Sequence, residues 1–99
     1  MNDSLQQRYF ISYSGVSLPL KLTNELEPDG MDNRITYFIG YFDGEERLRM
    51  IEKVVYGEIE FSHEYEYDDQ MIRRATLIED GEDPRVLEFD DQGRPREVS

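Results

Sequence analysis

The chain has no cysteine and no tryptophan, a single histidine and only four prolines in 99 residues. Without cysteine there is no disulfide, no thiolate metal site and no cysteine nucleophile, so the fold must be held by its own packing. One histidine with no nucleophile motif beside it leaves a catalytic triad without support. No stretch approaches the roughly 20 consecutive apolar residues of a membrane helix. The opening Met1–Arg8 has no basic segment leading into an apolar one, so a secretory leader is not expected either. Positive charge is scarce: 11 Lys and Arg face 23 Asp and Glu, a net charge of −12. Residues 1–40 hold five acids and three bases, whereas residues 41–99 hold eighteen acids and eight bases. Such a field repels nucleic acid and anionic membrane and attracts cationic surfaces. We therefore expect a cytoplasmic protein with no direct nucleic-acid or membrane partner.

What is present points to β structure. Hydrophobic residues make up 37% and aromatics 12%, including seven tyrosines, a composition that suits half-buried strands rather than a disordered acidic tail. The length fits one domain with a modest core. Tyr9–Tyr13, then Ser14-Gly15, then the alternating Val16–Leu22 reads as an N-terminal hairpin over residues 8–22, with Pro19 marking an edge strand. Residues 24–33 form the longest loop, with room for a short helical turn. Residues 34–98 read as a β-meander with strands near 34–42, 48–56, 59–67, 72–78 and 85–89. The expected fold is all-β, an antiparallel meander of about seven strands forming a curved sheet or small sandwich-like roll, with the N-terminal hairpin at one edge.

A two-residue turn at Gly57-Glu58 predicts a register that pairs Tyr56 with Ile59, Val54 with Phe61, Glu52 with His63 and Met50 with Tyr65, giving one apolar face. Extended outward, the pattern pairs Tyr37 with Glu52 and His63 with Thr76. The opposite face carries Phe38, Phe42, Ile51, Val55, Ala75 and Leu77, which something must cover. The hairpin is the natural cover.

An aromatic–aspartate phrase recurs at Phe42-Asp43-Gly44, Tyr67-Asp68-Asp69-Gln70 and Phe89-Asp90-Asp91-Gln92-Gly93-Arg94. Each copy ends an alternating run, so it reads as strand end and turn. The phrase resembles the YD repeats of Rhs-type bacterial proteins, in which Tyr-Asp, two variable residues, Gly-Arg and an aliphatic residue shape a β-hairpin. The third copy differs by Phe89 for Tyr and Pro95 for the aliphatic residue. The first has Glu46 where glycine is expected, and the second departs at Met71 and Ile72. The resemblance implies hairpins rather than an activity, since the Rhs shell needs dozens of repeats. The whole chain is also similar to a family of short bacterial proteins with this Tyr9–Gly15 opening.

Three groups of residues could carry function. Tyr37, Glu52, His63 and Thr76 fall in one row of the predicted register with Arg74 beside them, and a buried carboxylate and imidazole make a general acid/base pair. The structural alternative is a hydrogen-bonded polar pair. Glu58, Glu60, Glu64 and Glu66 alternate along one strand, about 6.6 Å apart on one side, and Glu79–Asp83 forms an acidic loop. These acids read either as a solvated face or as a partner-binding surface formed by Glu58, Glu60, Glu64, Glu66, Asp80, Glu82 and Asp83. The loop lacks the spaced ligands of an EF-hand, so no metal and no cofactor are expected. The tyrosines suit packing or protein recognition.

The leading expectation is a non-enzymatic acidic module that masks a cationic surface of a basic protein, in the manner of toxin immunity proteins or anti-CRISPR nucleic-acid mimics. The alternatives are a small enzyme using Glu52 and His63, and a YD-like structural module forming homo-oligomers through strand edges.

Overall fold

The computed structural model describes residues 5–15, 18–27 and 35–98, which form one open antiparallel sheet of eight strands. These are β1 (Gln6–Ser14), β2 (Lys21–Leu26), β3 (Thr36–Phe42), β4 (Leu48–Val55), β5 (Glu58–Asp68), β6 (Met71–Glu79), β7 (Arg85–Phe89) and β8 (Pro95–Glu97). Their spatial order is β2-β1-β3-β4-β5-β6-β7-β8, so the N-terminal hairpin sits at one edge and a meander makes up the rest. The strand beyond the expected seven is β8, three residues long at the far edge. The second strand of the hairpin also differs from expectation. Its pairing begins at Lys21 and continues through Asn24 to Leu26, so Pro19 lies ahead of the strand and costs the ladder no hydrogen bond. Val16, residues 28–33 of the expected loop, and Arg34 lie outside the described residues.

The hairpin is both edge and cover. β1 pairs with β3 only from Gln6 to Phe10, and beyond Phe10 it pairs with β2 alone. Freed from β3, the hairpin tip folds over one face, here called the front. Leu20 is buried there, and Leu18 and Leu22 pack against the core of Phe10, Phe38, Ile51, Tyr65, Ala75 and Phe89. Gly40 makes the seat possible: a Cβ at that position would lie 2.6 Å from Leu22 Cδ1 and 2.9 Å from Phe42 Cε1.

The face assignment expected from the sequence holds for β3 and for β4 and β6 apart from Leu48 and Ile72, which lie on the front beside Phe42 and Tyr67, and is overturned for β5. The β4–β5 turn is Tyr56-Gly57, both at positive φ (52° and 79°), a geometry that follows the right-handed twist of the strands. This placement pairs Val55 with Glu58 and Val54 with Ile59. That shift of two leaves the faces unchanged. A bulge at Glu60 then adds one residue, so Lys53 meets Phe61 and Ile51 meets His63. A one-residue slip exchanges the faces of everything beyond it. A second bulge, at Arg73, does the same between β5 and β6, so His63 meets Leu77 and Tyr65 meets Ala75. β5 alone is turned over. Phe61, His63, Tyr65 and Tyr67 join the front, while Glu64 and Glu66 pass to the back with Tyr37, Ile39, Tyr41, Met50 and Glu52. The bulge at Arg49, between the pairs Tyr41–Met50 and Phe42–Leu48, moves Leu48 from the face of Met50 to the front, beside Phe42 and Ile51, and leaves the rest of β3 and β4 on their expected faces.

Gly40→Ala is expected to lower stability by about 1 kcal/mol, because Leu22 and Phe42 must move away from a close-packed site. Denaturant unfolding checks this. In a Leu22→Ala background most of the cost should vanish, and two additive costs would show that Leu22 does not sit on Gly40.

Candidate functional site

The three aromatic–aspartate phrases all fall at one end of the sheet, at the β3–β4, β5–β6 and β7–β8 turns. Two of them are the same turn. Asp43 Oδ1 accepts the N–H groups of Glu45 and Arg47 at 2.9 Å each, and Asp43 Oδ2 accepts Arg47 Nε at 2.9 Å. Asp90 repeats this with Gln92 and Arg94 at 2.9, 2.9 and 3.0 Å. In both, the N–H of the residue before the arginine returns to the aspartate carbonyl at 2.9 Å. That residue is left-handed in each case, Gly93 at φ 81° and Glu46 at φ 65°. The phrase is thus a turn whose aspartate satisfies backbone donors and whose arginine neutralises it. The Tyr67–Gln70 copy is a different, two-residue turn with Asp69 at φ 58°.

Arginines tie the three turns together. Arg47 Nη1 donates to the Asp69 carbonyl at 2.6 Å, and Arg73 bridges Asp91 at 3.0 Å and Asp68 at 3.6 Å. Burial works against ionisation of Asp43, but the Arg47 N–H, the Arg47 guanidinium and the Glu45 N–H outweigh it and hold the carboxyl below the usual aspartate range. The Arg94 N–H, foremost, does the same for Asp90. Folded values below unfolded ones mean stability that is complete at neutral pH and is lost as pH falls below about 4.

The Glu52–His63 pair does not form. Glu52 faces Ile39 and Ser62 on the back, where Oε1 accepts the Tyr41 hydroxyl at 2.6 Å. Burial first, and this carboxylate second, push the Tyr41 hydroxyl pKa up. Tyr37 lies against Tyr9, with ring centroids 6.1 Å apart and planes tilted by 56°, and Arg74 pairs with Glu88 at 2.8 Å. His63 lies on the front between the rings of Phe61 and Tyr65, at 5.1 and 5.8 Å. Its Nδ1 is 2.8 Å from the Tyr65 hydroxyl, which also accepts the Leu20 N–H at 3.3 Å. Because that oxygen accepts from the flap, its own hydrogen is available to His63 Nδ1. The chain Leu20–Tyr65–His63 pins the flap to β5.

The bulge at Glu60 also divides the acidic stripe. Glu58 faces Val55, and Glu60 reaches Lys53 at 2.8 Å, both on the front side. Glu64 faces Met50 and Thr76 and Glu66 faces Arg74, on the back. Glu58 and Glu60 instead join Asp80, Glu82 and Asp83 at the end of the sheet opposite the aspartate turns, since the Asp80 N–H donates to the Glu60 carbonyl at 3.2 Å. The same end presents Tyr56, 77% exposed at its turn tip, with exposed Ile35 and Ile59 beside it. The Tyr56 N–H donates to the Ile35 carbonyl at 2.8 Å, which fixes the tip against β3. Sequence reasoning missed Tyr56 as a surface residue because it placed the turn one residue later. Among the described residues no three acid or histidine side chains converge as metal ligands, and no helix is long and apolar enough to cross a membrane.

Two outcomes follow from these contacts. Glu46→Gly, which relieves a left-handed non-glycine residue, should raise stability by about 0.5–1 kcal/mol, and Gly93→Glu should lower it, both read by thermal unfolding. Burial lowers the His63 pKa to about 4. The folded protein therefore favours neutral His63, and that stability is complete above about pH 6.5 and lost as pH falls through about 4. Wild type should lose on the order of 2 kcal/mol relative to His63→Gln across this window. Parallel curves would contradict the buried neutral histidine.

The chain belongs to a family of unknown function, DUF6156, which matches residues 2–98. Neither a curated protein nor a solved structure matches it.

Proposed function

We propose that this is a non-enzymatic binding protein whose acidic end, formed by the β4–β5 and β6–β7 turns, occupies a cationic surface on a partner protein and masks it. The observation that carries this reading is the unequal pairing of the acids. Six of the ten ion pairs among the described residues, those of Arg47, Arg49, Arg73 and Arg94, lie at the aspartate-turn end and hold turns together. At the other end Lys53 pairs with Glu60 and Arg85 with Glu97, whereas Glu58, Asp80, Glu82 and Asp83 have no ion-pair partner among the described residues. Unpaired like charges repel one another, a cost that a cationic partner removes.

A second feature supports the same surface. Tyr56, Ile35 and Ile59 supply an exposed apolar, aromatic patch beside these acids, which is the composition of a protein-recognition surface rather than of a merely solvated one. A partner of this kind fits an inhibitor that covers a basic cleft, whether a toxin's active site or a nucleic-acid channel. Glu64 and Glu66 stand apart on the back face. Affinity capture from source cells should recover a basic protein with wild type, lose it with combined Glu58→Lys, Asp80→Lys and Glu82→Lys, and keep it with Glu64→Lys. Equal capture by the triple variant, or capture of no basic protein, would remove this reading.

A further inference from the structure

A groove of about 440 Å³ opens on the front face between the hairpin flap and the first aspartate turn. Its floor and walls are apolar, with Phe10, Phe42 and Tyr67 below and Leu20, Leu22 and Leu48 around them. Its rim carries Arg8, Lys21 and Arg47 against a single acid, Glu46. Glu25 and Asp43, which pair with Arg8 and Arg47, are not part of the lining, so the surface of the groove itself presents three cations and one acid.

The rim cations are fixed in place with donors to spare. Arg8 gives Nε and Nη2 to Glu25 at 3.0 and 2.6 Å, while its guanidinium lies 4.8 Å from the Phe42 ring centroid. Arg47 gives Nε to Asp43 and Nη1 to Asp69, and stands 5.5 Å from the Tyr67 ring centroid. Arg8 Nη1, Arg47 Nη2 and Lys21 Nζ make no hydrogen bond or ion pair among the described residues. Guanidiniums already immobilised by carboxylates lose little further entropy when a ligand accepts their remaining N–H groups. The volume, apolar lining and few convergent polar groups are those of a small-molecule site.

We infer that this groove binds a small anion with a flat apolar body, such as an aryl carboxylate, its ring on the Phe10–Phe42–Tyr67 floor and its charge at Lys21, Arg8 and Arg47. The site is separate from the acidic end, so it stands or falls independently of the partner-masking role. The test uses 2-naphthoate titrated into the full chain, followed by backbone amide shifts, with 2-naphthylmethanol as the uncharged twin. Saturable shifts at Leu20–Leu22, Phe42 and Leu48 are expected, and the carboxylate should bind at least tenfold more tightly than the alcohol, since charge-assisted hydrogen bonds distinguish the two. Lys21→Glu should reduce naphthoate affinity at least tenfold while leaving the amide spectrum folded. Absent or non-saturable shifts, shifts confined to other surfaces, or equal affinity for the alcohol would overturn the inference. The comparison of the two ligands on wild type needs no variant and decides the question even if Lys21→Glu perturbs the flap.

Discussion

The structure depends on covering one face of a single sheet. Eight strands in one layer offer two apolar faces, and among the described residues no helix or second sheet lies against either. The hairpin tip supplies the cover on the front by leaving its pairing with β3 after Phe10 and laying three leucines on the core. Fully burying one leucine contributes about 1.5–3 kcal/mol, and Leu18 and Leu22, only partly buried, contribute less. The three together are comparable with a large share of the 5–15 kcal/mol that separates folded from unfolded domains. The flap is therefore part of the core rather than an appendage. Its two seats explain otherwise odd residues: a glycine at the centre of β3, and a tyrosine 1% exposed whose hydroxyl meets backbone.

Tyr65 can serve as a seat only because β5 is turned over. Alternation and turn residues were enough to place the meander, its order, the edge hairpin and the faces of β3 and, Leu48 and Ile72 apart, of β4 and β6. They were not enough for β5, because a bulge leaves almost no local signature. Glu60 and Arg73 are ordinary strand-surface residues, and nothing beside them announces an extra residue in the ladder. The predicted register satisfied cross-strand pairing nearly as well, with Arg49 opposite Glu66 on one face and apolar partners at nearly every pair of the other except Glu52–His63. The observed one wins on a term that pairing rules omit: it adds Phe61, Tyr65 and Tyr67 to the face that the flap covers. The price is the loss of the Glu52–His63 row, and each of those groups finds a tyrosine hydroxyl instead.

The recurring aspartate phrase was legible as a turn but not as a pair of identical turns plus a third of another kind. Sequence marked Glu46 as a departure from the glycine pattern. Structure shows the glutamate accepting the left-handed conformation, so the hydrogen bonds of Asp43 outweigh its strain. Asp43 is also the more enclosed copy, its side chain 12% exposed against 47% for Asp90. The acids of this chain thus divide by what they bond. Those at the turns cap backbone donors and anchor arginines, and their charge is spent internally. Those at the opposite end bond little, and their charge is directed outward.

That division lets one small molecule carry surfaces of opposite character. β5 alone spans 11 residues between the two ends, about 35 Å at strand rise, in a molecule 42 Å along its longest axis. The screening length at physiological salt is about 8 Å. The two ends of β5 thus lie about four screening lengths apart, so the net charge of the chain is a poor guide to the surface at either end. At low salt the separation fails, since the screening length near 0.01 M is about 30 Å, and the acidic end then weakens the attraction of the groove for an anion. Dilute buffer would therefore strengthen a cationic partner's hold on one end while blunting anion binding at the other.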